Sequence, residues 1–134
     1  MRSVFFLMIL LVLASVMQAN LIGRKQAAAA KGILRCKGRP AGGLNVKMYD
    51  HDTFTPDDKM AGVVSESDGS FNIAGHKSEV GAVRPDVKIY HKCGHLLEKC
   101  YKVRIPSEFV VNGSTPSKTY PMGTIDLENV KNNC

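Results

Sequence analysis

Tryptophan is absent from these 134 residues, and only four tyrosines and five phenylalanines are present. No basic run is interleaved with stacking aromatics, so single-stranded nucleic acid has no platform to bind. No Gly-x-Ser-x-Gly elbow marks a nucleophile, and no glycine loop is spaced to cradle a phosphate. Dinucleotide and phosphoryl chemistry therefore have no recognisable site, and no cofactor is expected. Long apolar runs are scarce too. The one uncharged stretch, Val4–Val16, is too short for a membrane span, which needs roughly 20 residues.

That stretch has another use. Met1-Arg2 gives it a positive start, and Met17-Gln18-Ala19 offers a cleavage site before Asn20. A charged start, a short apolar core and a small residue at the cut describe a secretory signal peptide. Residues 1–19 are expected to be removed and residues 20–134 exported as one extracellular domain with no transmembrane span. Only Arg2 of the 18 basic residues, and none of the 12 acidic ones, lies in the leader. The mature chain thus keeps a net charge of about +5, which favours anionic partners outside the cell.

All four cysteines, Cys36, Cys93, Cys100 and Cys134, follow the leader. An even count in an oxidising compartment implies two disulfides, and four cysteines allow three pairings. Cys93–Cys100 with Cys36–Cys134 is the favoured pairing: one short loop closed between two strands, and the last residue tied to the first strand.

Alternation of apolar and polar residues recurs along the mature chain. Val46 and Met48 flank Lys47, Phe71 and Ile73 flank Asn72, Val87 and Ile89 flank Lys88, Tyr101 and Val103 flank Lys102, and Ile125 and Leu127 flank Asp126. A period of two puts one set on a buried face and the other in water. Turn residues separate these runs, at 38–43, at Ser67-Asp68-Gly69-Ser70 (read as a hairpin) and at 112–116. Seven strands are expected, over 28–36, 44–50, 60–65, 70–74, 86–91, 101–105 and 120–127, with a single helical turn near 107–110. Short strands at this spacing point to an all-β, antiparallel two-sheet sandwich of about seven strands, stabilised by disulfides. Ala27–Ala30 favours helix by propensity, but Gly32 and Ile33-Leu34 follow directly and place it at a strand start.

Several clusters invite a chemical reading. His91, Cys93, His95 and Cys100 could ligate zinc, but their spacing matches no standard finger and export favours oxidised thiols. Asp50, Asp52, Asp57 and Asp58 could converge on calcium, yet the glycine and the terminal glutamate of an EF-hand loop are missing. No metal is expected. Six basic residues between Arg24 and Arg39 are not interrupted by an acid. Lys31, Arg35, Lys37 and Arg39 share strand parity, which makes them a candidate anion-binding face. Asn112-Gly113-Ser114 is an acceptor for N-linked glycan.

Together the motifs resemble a known family. Lys31 through Gly43, Val46-Lys47-Met48-Tyr49-Asp50 with its acidic loop, Ser67-Asp68-Gly69-Ser70-Phe71, Pro85 through Cys93, Val103-Arg104-Ile105-Pro106 and Met122 through Leu127 are similar, in order, to the nematode transthyretin-like family. The resemblance implies a secreted or cell-surface β-sandwich related in fold to transthyretin. Enzymes of the same fold that hydrolyse 5-hydroxyisourate need an N-terminal histidine, an arginine and a C-terminal Tyr-Arg-Gly-Ser. Here the first histidine is His51 and the chain ends Asn132-Asn133-Cys134, so catalysis is not expected. The resemblance leaves two functions: a binding or adaptor module for an extracellular protein, lipid surface or glycan, or a carrier of a small apolar ligand.

Overall fold

A computed structural model describes the backbone of residues 1–21 and 23–134 and the side chains of 1–14 and 23–134. The leader forms a helix, α1 (Arg2–Leu21), whose apolar side chains from Val4 to Leu13 are exposed. The expected cleavage site at Met17–Asn20 has its side chains outside the described residues. Among the described residues, no helix is long and apolar enough to cross a membrane.

The rest is a β-sandwich. One sheet is built on β1 (Arg24–Cys36), which pairs with β5 (Ser70–Glu79) from Arg24↔Glu79 to Ile33↔Ser70. The other edge of β1 is shared by three short partners: β2 (Arg39–Pro40), β8 (Val111–Asn112) and β9 (Tyr120–Asp126). The second sheet runs β4 (Asp58–Val64), β3 (Asn45–Asp50), β6 (Pro85–His91), β7 (Lys99–Arg104). All pairs are antiparallel except β1–β9, which is parallel. The expected helical turn is a 3-10 turn at Ser107–Phe109.

Alternation explains the core. Val46, Met48, Val87 and Ile89 from the second sheet meet Ala28, Ala30, Leu34, Phe71 and Ile73 from the first, all buried. Each large aliphatic side chain buried here contributes about 1.5–3 kcal/mol. Glycine decides two local details. At Gly69 (φ 85°) an added Cβ would lie 2.2 Å from the Leu34 carbonyl oxygen, and the Asp68 carboxylate accepts hydrogen bonds from the Ser70 N–H and hydroxyl. This turn does not close the hairpin that its residues lead one to expect. It carries the chain from β4 in one sheet to β5 in the other. At Gly75 an added Cβ would come 3.0 Å from the Met60 carbonyl oxygen. That glycine therefore allows β4 to approach and does not end β5, which continues five residues past Ala74.

The disulfides differ from the expected pairing. They join Cys36 to Cys93 and Cys100 to Cys134. Strand register gives the reason. Cys100 lies opposite Tyr90 on the outer face of the second sheet, whereas Cys93 is buried against the core. The two thiols of the expected short loop thus point to opposite faces. Cys36, packed against the core beyond Leu34, meets Cys93 across the sandwich instead. The tail after β9 crosses to β7. There the Asn133 side chain pairs with both backbone groups of Lys102, accepting at 2.8 Å and donating at 3.3 Å. Both bonds tie one sheet to the other.

Candidate functional site

The two residue clusters weighed as metal sites make structural contacts. Cys93 and Cys100 are in different disulfides. His91 is buried, with Nδ1 accepting from the Cys93 N–H at 3.1 Å and Nε2 3.0 Å from the Asn132 side-chain oxygen. His95 is exposed on the β6–β7 loop and stacks edge-on to His91 at 6.4 Å. The acidic residues are equally occupied. Asp50 accepts from the Arg84 N–H at 2.9 Å and from Lys77 at 3.1 Å. Asp58 and Glu79 also bind Lys77. Burial alone would lower the Lys77 pKa, but its bonds to Asp58, Glu79 and Asp50 outweigh that and raise it. Asp52 turns back on the Phe54 N–H, and Asp57 accepts from the Asp52 N–H.

Sequence reasoning did not foresee one grouping. His51, Asp57 and Asp86 bring ligand atoms within 4.8 Å of one another. Positive charge is already supplied there. Arg104 forks onto the buried Asp86 carboxylate, and Lys88 lies 3.8 Å from Asp57. The geometry describes an internal ion-pair network.

The predicted basic face is divided. Lys31 and Arg35 are exposed on β1. Lys37 (φ 51°) and Gly38 (φ 77°) then make a two-residue turn, and the Lys37 N–H is held by Glu128 at 3.0 Å. Arg39 pairs with Cys36, and antiparallel partners share a face, so Arg39 lies on the side opposite Lys31 and Arg35. The shared parity holds only as far as that turn.

A denser cationic surface lies on the outer face of the second sheet. Lys47 pairs with Lys88, and Lys88 with Lys102, giving three lysines in one row across β3, β6 and β7. Lys47 sits over the Tyr90 ring at 5.1 Å and Lys88 over the Tyr49 ring at 4.5 Å. Burial first, and then Tyr49, raise the Tyr90 pKa, so its phenol stays neutral. Among the described residues no ion pair engages Lys47 or Lys102. Like charges directly opposite on a sheet are unfavourable, and the two tyrosine faces offset this only in part. The signal was in the sequence, as lysines flanked by apolar residues in three strands. Only the strand order reveals that they form a row.

The third surface is an open groove of about 600 Å³ at one end of the sandwich, where β1 and β5 meet the end of β4. Ile33, Val63, Val64 and Pro121 supply apolar walls, with Lys31 and Glu66 among its polar lining residues. Gly32 and Gly123 lie beside the β1–β9 register shift: an added Cβ at Gly32 would meet the Phe71 ring at 2.8 Å, whereas one at Gly123 would meet nothing within 4 Å. Asn112 is exposed on β8.

Comparison with known proteins decides the lineage. The profile of the transthyretin-like family matches residues 31–106. The chain belongs to the transthyretin-like family. It is 36% identical to transthyretin-like protein 2 of Caenorhabditis elegans over 127 residues, covering 88% of this chain and 86% of that one. Against transthyretin-like protein 5 of the same organism it is 38% identical over 111 residues, covering 80% of each. This transthyretin-like chain therefore matches these relatives in sequence along most of its length.

Proposed function

We propose that this transthyretin-like protein is an exported, non-catalytic binding module that engages anionic groups outside the cell. The Lys47–Lys88–Lys102 row carries the reading. Lys47 and Lys102, without an ion pair among the described residues, flank Lys88, whose charge is shared with Asp57 at 3.8 Å. With adjacent strands about 5 Å apart, this row gains from an anion that reaches across it, such as the sulfates of a glycan or the headgroups of a lipid surface. Each lysine near an anionic surface contributes roughly 1 kcal/mol, so such contacts are weak singly and strong when repeated. Export is supported by α1, whose apolar side chains from Val4 to Leu13 are exposed. The engagement of Asp50, Asp86 and His91 in structural bonds supports a binding role over catalysis.

Two sources of anion are separated by experiment. The exported protein is passed over immobilised sulfated glycan and, in parallel, mixed with anionic or neutral vesicles. Retention that falls with salt on either anionic matrix fits the proposal, and the matrix retained names the source. No retention on either, at low salt, contradicts it.

A second reading, carriage of a small apolar ligand, is favoured by the groove. The expected Cys36–Cys134 bond, which would have constrained the sheet beside it, is replaced by bonds that leave the groove open.

A further inference from the structure

The same end of the sandwich that bears the groove also bears an exposed apolar loop. Between β6 and β7, Leu96 and Leu97 are 95% and 74% exposed. The loop is braced at both feet, by Cys93 bonded to Cys36 and by Cys100 bonded to Cys134. Register places it at the same end of the second sheet as the part of the groove that β4 lines. Asn45 of β3 pairs with Val64 of β4, Val46 pairs with Ile89 of β6, and His91 pairs with Lys99 of β7. The end of β4 and the β6–β7 loop therefore lie at one end of the second sheet, on opposite sides of it.

One molecule thus carries an apolar projection and an apolar recess at the same end. Their charges also match. Lys31 and Glu66 line the groove, and Lys92 and Glu98 flank the leucines on the loop. Among the described residues none of these four joins a salt bridge. We propose that the occupant of the groove is the Leu96–Leu97 loop of a second copy, in a reciprocal two-fold dimer. Each copy inserts its loop into the groove of the other, with Glu98 facing Lys31 and Lys92 facing Glu66. A two-fold axis makes the contact twice, which raises the buried area toward the ~1,200 Å² of a stable interface. Rigid feet reduce the ordering cost of the loop on association. The dimer covers the groove and leaves the half-buried lysine row on the sheet face uncovered. It therefore goes beyond the proposed anion binding and competes with carriage of an apolar ligand.

Sedimentation of the protein purified from the medium of cells expressing the full chain tests this. The wild type is expected to reach twice the protomer mass as concentration rises through roughly 1–100 μM. Leu96→Asp with Leu97→Asp, on an exposed loop, is expected to keep the fold and weaken association at least ~10-fold. Lys31→Glu alone is expected to weaken it as well, and Lys31→Glu with Glu98→Lys to restore it. A wild type that stays monomeric throughout overturns the proposal. So does an aspartate variant that associates like wild type, or a charge swap that restores nothing. Retention on sulfated glycan, measured on the same samples, fails or survives separately. A monomer whose groove binds a hydrophobic dye overturns the dimer and favours the carrier.

Discussion

Cys36 and Cys93 stand 57 residues apart in sequence, and their bond joins the two sheets at the core. Cys100–Cys134, 34 residues apart, does the same from the outer face. Proteolysis under non-reducing conditions should release these two linked pairs and no Cys93–Cys100 peptide. By chain entropy each bond is worth roughly 4 kcal/mol. Loss of Cys36–Cys93 should cost more than loss of Cys100–Cys134, because its loop is longer and Cys93 is buried. Denaturant unfolding of paired Cys→Ser variants checks the order.

Gly69→Ala should be among the most damaging single changes. The new Cβ would collide with the Leu34 carbonyl oxygen, in a backbone conformation that L-residues disfavour. A loss of at least ~2 kcal/mol is expected. Gly38→Ala has the same backbone cost but meets no atom within 4 Å, so it should lose less. Thermal unfolding of the two variants separates the collision from the conformation.

Much of the fold was legible in the residues. Pairs such as Val87 and Ile89 around Lys88 fixed strand positions and inner faces, because a period of two has only one buried solution. Strand ends were less legible. The strand expected over 70–74 runs on through Gly75 to Glu79, and that glycine serves a close approach by β4 that no local pattern displays. Ala27–Ala30 favours helix, and pairing with β5, β8 and β9 overrides that preference. The candidate site was hardest to read. Parity along β1 placed Lys31 and Arg35 correctly, then failed at the Lys37–Gly38 turn. The lysine row depends on which strands are neighbours, and three separate Val-Lys-Met, Val-Lys-Ile and Tyr-Lys-Val segments do not say. Disulfide pairing failed for the same reason, since facing is a property of register.

Export predicts two covalent changes. The secreted protein should begin between Asn20 and Lys25, and N-terminal sequencing shows this directly. Exposed Asn112 should carry glycan, seen as a mass loss on enzymatic deglycosylation that Asn112→Gln abolishes. Intact Met1 in the secreted form, or a mass unmoved by deglycosylation, would contradict each expectation in turn.

Acid should weaken the fold in a defined window. The Asp52 N–H holds the Asp57 carboxyl below its ordinary value of 3.8, against the opposing effect of burial. The Ser70 hydroxyl does the same for Asp68. A folded pKa below the unfolded one contributes stability above pH ~4 that is lost as pH falls through the folded value. Stability should therefore be level from neutrality to about pH 4.5 and decline below it. Asp57→Asn with Asp68→Asn should flatten the decline. Lys77 works at the other extreme. Its raised pKa contributes stability that persists up to its ordinary 10.5 and is lost only above it.

Binding to immobilised sulfated glycan as a function of salt, with charge removed from one surface at a time, tests the central claim most directly. Lys47→Gln, Lys88→Gln and Lys102→Gln together should abolish retention and flatten its salt dependence, because screening acts on the contacts those lysines make. Lys31→Gln with Arg35→Gln should leave most of it intact. Retention unchanged in the triple variant, or lost instead in the Lys31 and Arg35 variant, would contradict the assignment of anion binding to the lysine row.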